Sequence, residues 1–333
     1  MAAQKKHKPL VVISMGCPSG IGPEVSVAAA ARAKVPAVIV GDVGTLLEAA
    51  LLVGVPERVL EPFDGSAPRA GSIGVLQAGP ALRPADRRPG KPGRAAGAAQ
   101  LAAIEAAYRL VKRTKGSVLV TAPVSKAAIA GSGVRGASRF TGHTEWLERL
   151  DGARTSIMCF VSKELATSLV TTHVPLARVP GLLKPERIAD AAILLARLLA
   201  QLGKRRPRVA VASLNPHAGE GEMFGDEERR AIVPGIARAR KRASGAVISG
   251  PVGAETAYRK MRGGAYDGVV AMYHDQATIP MKLVAFGEAV NVTMGLSIPR
   301  TSVDHGTAYD IAWQAKADPL GMQRAIELGV KLA

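Results

Sequence analysis

Three histidines stand just past short, β-branched apolar runs: His173 in LVTTHVP, His217 in VAVASLNPHAG and His274 in GVVAMYHDQ. Neutral imidazoles suit borderline divalent metals, and three meeting at one point leave coordination positions open for a substrate. Any one of them alone reads as a hydrogen-bonded strand-end residue. Three of the six histidines in equivalent places favour the metal reading, although the spacing is not local and rests on that placement. His7, in the N-terminal tail, is discounted. Asp275, beside His274, could accept a hydrogen bond from a ligand imidazole and fix its tautomer, or equally cap a turn. Lys282, Asn291 and Arg300 follow, and the point charge of Lys with the planar fork of Arg suits a phosphate or carboxylate. The tetrapeptide GHTE at 142–145 adds His143 and the Thr144 hydroxyl as polar contacts or acid/base groups. The loop GCPSGIGPE at 16–24 resembles a phosphate-cradling turn, but it fits neither GxGxxG nor a Walker A pattern. A strand–helix turn that needs glycine explains it adequately.

These residues need a scaffold that delivers them to one edge. Strands are expected at 10–14, 37–40, 117–121, 168–172, 209–213, 247–249 and 268–272. They are apolar throughout rather than alternating, the pattern of parallel strands covered on both faces. Between them lie helical patterns, clearest at 185–202, where Pro opens the segment, Ile188, Ala192, Leu195, Leu199 and Leu202 form a stripe, and Gly203 stops it. A second runs over 95–113. Alternating strands and helices mean an α/β fold, whose ligands collect at the carboxyl ends of its strands. The Pro-, Gly- and Arg-rich stretch 81–97 reads as a surface loop.

The chain has 333 residues, room for two domains or one large α/β unit. Its 44 Lys and Arg against 27 Asp and Glu give a net charge of +17, which first suggests nucleic acid, a membrane surface or an anionic substrate. The charges are scattered or fall in short loop-like clusters (83–94, 204–208, 238–242), and no aromatics are interleaved as base-stacking platforms. A solvated basic surface is expected, with no nucleic-acid partner. No apolar stretch approaches the ~20 residues of a membrane span, and the N-terminal apolar run is too short for a signal-peptide core. Cys17 and Cys159 are the only cysteines, so a disulfide scaffold is excluded. A soluble, cytoplasmic protein is expected.

In order and spacing, the strings GCPSGIGPE, TAPVSKAAI, TGHTE, TTHVPL, LNPHAGEGEMFGDEE, MYHDQATIPMK, VNVTMGL and PRTSVDHGTAYDIA resemble one family along nearly the whole chain. It is the 4-hydroxythreonine-4-phosphate dehydrogenases of pyridoxal phosphate biosynthesis. The resemblance implies a two-domain α/β/α architecture like that of isocitrate and isopropylmalate dehydrogenases, with an interdomain cleft, divided as 1–130 plus 300–333 and 131–299. It implies a divalent metal (Zn, Mg, Mn or Co) on His173, His217 and His274, with Asp275 and Glu255 behind the ligands. Substrate contacts would be His143, Thr144, Lys282, Asn291 and Arg300, with proton transfer by His143 or Lys282. His305, Gly306 and Thr307 look like a loop for NAD or NADP. A homodimer would build each site from both subunits, with His274 reaching across.

The implied reaction is oxidation and decarboxylation of 4-(phosphooxy)-L-threonine to 3-amino-2-oxopropyl phosphate. Departures touch the substrate: Cys17 stands for a usual Asp, Thr141 for Pro, Ser125 for Asn or His, Gly253 for Pro, Glu255 for Asp and Ala277 for Gly. Dehydrogenation of D-threonate or D-erythronate 4-phosphate is therefore the alternative within the class, and a three-histidine metal hydrolase or aldolase the alternative outside it.

Overall fold

A computed structural model describes residues 8–333, so His7 lies outside the described residues. The strands in chain order are β1 (Leu10–Ser14), β2 (Ala37–Gly41), β3 (Leu60–Pro62), β4 (Ile73–Gln77), β5 (Ser117–Thr121), β6 (Ile157–Val161), β7 (Ala166–Leu169), β8 (Arg208–Ala212), β9 (Val247–Val252), β10 (Gly268–Ala271), β11 (Val290–Met294) and β12 (Arg300–Val303). They fall into two compact units. The first comprises the chain up to Ala153 with Leu296–Ala333, and the second is Arg154–Gly295.

The first unit orders its strands β3-β4-β2-β1-β5-β12, every pair parallel. Burial on both faces explains the continuous apolar runs: all five residues of β1, β2 and β5 are buried. The register sets Ser14 beside Thr121 and Thr121 beside Ser302, so three carboxyl ends lie in a row. The helix Arg94–Arg113 covers one face through Leu101, Ile104 and Tyr108, which share a core with Phe140 and Leu147. Leu147 belongs to the helix His143–Asp151. Its burial in that core carries the first unit to Ala153, past the boundary expected at 130.

The second unit runs β11-β6-β7-β10-β8-β9. Its strands β7, β10, β8 and β9 pair in parallel, as their uniform apolarity suggests. The pairs β11–β6 and β6–β7 are antiparallel, which the expectation of parallel strands alone missed. The helix Pro185–Gln201 lays Ile188, Leu195 and Leu199 into the core. Gly268 in β10 lies so close that a side chain there would meet Leu195 and Leu199 at 3.0 Å.

Several expected elements coincide with the structure, β1 and β5 to the residue. Others shift: β7 ends at Leu169, yet Val170 and Thr171 still donate to the carbonyls of Ala271 and Met272 at 2.9 and 3.1 Å, so the pairing outlasts the strand. Arg300 opens β12, a strand missed because a buried arginine breaks the apolar pattern.

The fully buried Leu147 ties the helix bearing His143 to the core. Leu147→Ala should cost about 2–5 kcal/mol. A lowered thermal transition in scanning calorimetry checks this, and an unchanged transition contradicts the packing role.

Candidate active site

In the first unit, three loops leave the adjacent ends of β1, β5 and β12. The loop after β1 packs on the loop after β12: Ile21 N donates to the Thr307 carbonyl at 3.0 Å, and a Cβ on Gly20 would lie 2.8 Å from that oxygen. Glycine is therefore demanded at position 20 by a neighbouring loop. Its absent side chain makes room for protein, in keeping with a structural turn. Glu24 is buried and accepts from the backbone N–H of Trp313 at 2.9 Å and of Ala315 at 3.1 Å. Both donors have left-handed backbones (φ 62° and 55°), so one carboxylate holds a bend that the sequence disfavours. Cys17 Sγ lies 3.6 Å from the Tyr309 hydroxyl, and burial pushes its thiol pKa up. This cysteine is a packed thiol in a reduced pair of loops.

Arg300 is the most consequential side chain here. It is 2% exposed, and its Nη2 donates to Thr121 Oγ1 at 2.6 Å. Burial lowers its pKa to about 9, with the nearby Glu145 carboxylate acting in the opposite sense. It is thus still a cation at neutral pH. His143 stands at the start of its helix, its ring edge-on to Phe140 with centroids 6.2 Å apart. Burial, then the charges of Arg300 and Lys126, hold its pKa well below the usual imidazole range. Its Nε2 is buried without a hydrogen-bond partner. A neutral imidazole with an open nitrogen beside a buried guanidinium can accept a proton, or hold a hydroxyl, next to a bound oxyanion. Thr144 is buried on the same helix. Lys126, at the end of TAPVSK, was not picked out from the sequence. The strand-end position that drew attention to the histidines would have found it.

The three proposed metal ligands sit at the carboxyl ends of β7, β8 and β10, neighbours in the second unit's sheet. His173 and His274 come together, their ring centroids 5.6 Å apart. With metal–nitrogen bonds of about 2.0–2.1 Å, two imidazoles on one tetrahedral ion place their centroids roughly 5–6 Å apart. The separation is of that order, and both histidines belong to one chain. Asp275 Oδ1 lies 2.7 Å from His274 Nδ1 and can set its tautomer. His217 is carried by a different device. Its backbone is left-handed, as are those of Ala218, Glu220 and Glu222. Such a run costs of order 1–3 kcal/mol per residue and persists only when surrounding contacts impose it. The run's N-terminal approach is held by the buried Glu228, in the π-helical turn Glu228–Ile232. It accepts from Leu214 N and Asn215 N, both at 2.9 Å, and from Asn215 Nδ2 at 2.9 Å.

Gln276 also links the two histidine-bearing loops. Its Nε2 donates to the Ser213 carbonyl at 2.8 Å and its Oε1 accepts from Met272 N at 2.7 Å. Neither Glu228 nor Gln276 was singled out from the sequence, though both lie inside the strings LNPHAGEGEMFGDEE and MYHDQATIPMK. Among the described residues, no group of three or more His, Cys, Asp or Glu is placed to hold a metal ion, and His217 is not brought to the pair of His173 and His274 by any ring contact among them. Glu255 is not brought to the histidines by any contact. It is exposed, bonds Arg259 Nε at 2.8 Å and Thr256 Oγ1 at 2.8 Å, and stays on its own helix.

Lys282 is exposed near the end of the helix His274–Ala285, and Asn291 lies in β11 with its Oδ1 buried and unpartnered. In the loop proposed for a dinucleotide, Gly306 is open on all sides, while His305 Nε2 is buried without a partner. That nitrogen suits a polar ligand.

Taken together, these are two α/β units with histidines at the carboxyl ends of parallel strands, where α/β folds gather their ligands. A family model described as pyridoxal phosphate biosynthetic protein PdxA matches residues 33–329. The chain is 40% identical, over 98% of its length and 96% of the relative's, to a 4-hydroxythreonine-4-phosphate dehydrogenase of Geobacter metallireducens. It is 36% identical, over 97% and 99%, to a D-threonate 4-phosphate dehydrogenase of Pectobacterium atrosepticum. Among solved structures, a 4-hydroxythreonine-4-phosphate dehydrogenase from Klebsiella pneumoniae superimposes with a TM-score of 0.85 at 36% identity, covering 97% of this chain and 99% of that one. The chain belongs to the PdxA family. Among the described residues, no helix is long and apolar enough to cross a membrane.

The cations around His143 set a titration that can be measured. By NMR, its ring should stay neutral to well below the ordinary midpoint of about 6.5. Lys126→Met should move that midpoint upward, because removing a neighbouring positive charge favours the imidazolium. A midpoint at or above the ordinary value, or one indifferent to the substitution, would count against this geometry.

Proposed function

We propose that the chain oxidises and decarboxylates 4-(phosphooxy)-L-threonine to 3-amino-2-oxopropyl phosphate, using NAD or NADP and a divalent metal. The observation that carries this reading is the end-to-end match, at 40–41% identity over 98% of the chain, to two proteins named for that dehydrogenase. The site supports it chemically: a buried guanidinium, a neutral imidazole and an imidazole pair are what a phosphorylated hydroxy acid and a metal require.

His143, Thr144, Lys282, Asn291 and Arg300 are the proposed substrate contacts. The cations would anchor its anionic groups, and this anchoring would hold the reacting carbon for transfer. His143, kept neutral by its surroundings, is the proposed base and Lys282 the other candidate. The base takes the hydroxyl proton as hydride leaves that carbon for the nicotinamide. The product is a β-keto acid, which loses its carboxyl group as carbon dioxide, and the enolate left behind takes up a proton. His173, His217 and His274 would hold the metal, which when bound polarises the substrate's oxygens. His305, Gly306 and Thr307 are proposed to face the dinucleotide. The depressed pKa has a sign: because His143 sheds its proton at lower pH than an ordinary imidazole, the acid limb of kcat/KM should lie below the usual histidine range.

A second reading, dehydrogenation of D-threonate 4-phosphate or its erythronate isomer, is favoured by relatives of that name at 36–38% identity. NAD(P)H formation by purified protein, supplied in turn with each phosphorylated acid and a panel of divalent metals, separates the two. Turnover with phosphohydroxythreonine is expected. Turnover only with the sugar acid would replace the first reading by the second, and turnover without nicotinamide would overturn both.

A homodimer is part of the proposal. Ile279 and Leu283 lie four residues apart on the helix His274–Ala285, Phe286 follows directly at its C-terminal end, and the three are 58%, 83% and 83% exposed. An apolar stripe of this kind is unusual on a free surface, and a second copy would cover it. Leu283→Glu with Phe286→Glu should shift the protein from dimer to monomer in analytical ultracentrifugation. An unchanged sedimentation coefficient would remove this face from the interface.

A further inference from the structure

A small concavity of about 210 Å³ in the second unit has nothing to do with the histidines. It is lined by Arg154, Arg197 and Arg242, with Asp190, Thr155 and Gly295, over an apolar floor of Ile193 and Leu194. The helix Pro185–Gln201 supplies Asp190, Ile193, Leu194 and Arg197 at spacings of three and four, which place them on one face. Asp190 is buried and binds two guanidiniums: Arg154 Nη2 at 3.1 and 3.3 Å, and Arg242 Nη2 at 3.0 Å. Arg242 also reaches Glu186 through Nη1. Arg187 Nη1 donates to Thr155 Oγ1 at 2.7 Å and brings a further cation to the rim. Arg197 has no carboxylate partner among the described residues.

The lining thus carries three guanidiniums against one carboxylate. A guanidinium has five N–H donors, and Arg154 commits a single nitrogen to Asp190. Asp190 therefore does two things: it offsets part of the repulsion between the arginines, and it holds two of them in place before any ligand arrives. Preordered, charge-assisted donors of this sort bind oxyanions strongly. Drug-sized ligands occupy pockets of about 300–1,000 Å³, so this concavity suits a small anion rather than a nucleotide. Its position adds a consequence. Arg154 and Gly295 are the first and last residues of the second unit, where the chain enters and leaves it.

We propose that this arginine-lined concavity is a binding site for a small tetrahedral dianion, inorganic phosphate or the phosphate end of a phosphomonoester, separate from the candidate active site. The assignment is independent of the proposed reaction.

Equilibrium dialysis of the full chain with labelled inorganic phosphate at low ionic strength tests it. Wild type should bind one phosphate per chain more than Arg154→Gln/Arg197→Gln, while the double variant keeps its dehydrogenase turnover. Arg197→Gln alone breaks no ion pair, so it guards against misfolding, and should weaken that class of site about tenfold, as loss of roughly 1.4 kcal/mol implies. Equal stoichiometry and affinity in wild type and both variants would overturn the proposal. Binding that never saturates would do the same, since it would mean diffuse attraction to a basic surface.

Discussion

Parallel pairing aligns carboxyl ends, and most of the chemistry in this protein is a consequence of that alignment. Parallel hydrogen bonds put Ser14, Thr121 and Ser302 at one level in the first unit, and Leu169 beside Ala271 in the second. Once those rungs are fixed, the loops that follow have little choice of neighbour. The glycine-rich loop must meet the loop at 305–309, and the segments carrying His173 and His274 must emerge side by side. No local motif in either loop is needed for the meeting. This is why residues separated by a hundred positions in sequence, such as His173 and His274, bring their rings together.

The second constraint is the satisfaction of buried charge. Arg300, Glu24 and Glu228 are all buried, and each would be costly without partners. Glu24 and Glu228 meet that cost with backbone N–H donors, and in doing so impose loop shapes that side chains alone would not hold. Arg300 donates to Thr121 and stands by Glu145 and His143. Burial first, and its positive charge second, hold the His143 pKa down, so the guanidinium bears on its neighbour's proton.

How much of this could be read from residues alone follows from the range of the forces involved. Burial on both faces is written locally, so β1 and β5 were legible to the residue, and so was the stripe of the helix Pro185–Gln201. Strand ends carrying histidines were legible for the same reason. The antiparallel pairs β11–β6 and β6–β7 were not, because the direction of a neighbour leaves no trace in an apolar run. Arg300 read as a polar contact, whereas it opens a buried strand, since composition cannot tell a charged surface position from a charged core position. Glu255 read as a group behind the metal ligands; in the structure its contacts are with Thr256 and with Arg259 one turn on, a pairing of the i to i+4 kind.

The +17 charge takes on a sharper meaning in this light. Much of it is spent locally: Arg208 and Lys204 share Asp267, Arg238 and Arg242 share Glu186, and Arg154 joins Arg242 on Asp190. The lysine and arginine ends of these pairs are exposed even where Asp190 and Asp267 are not. Solvent screens such contacts, so their number says little about why the protein is folded. What distinguishes Arg300 and Lys126 is that their fields also bear on one titratable ring, His143, with the Glu145 carboxylate beside Arg300 as well. Burial, and then the charge of these two cations, disfavours the imidazolium, so the ring keeps its lone pair available.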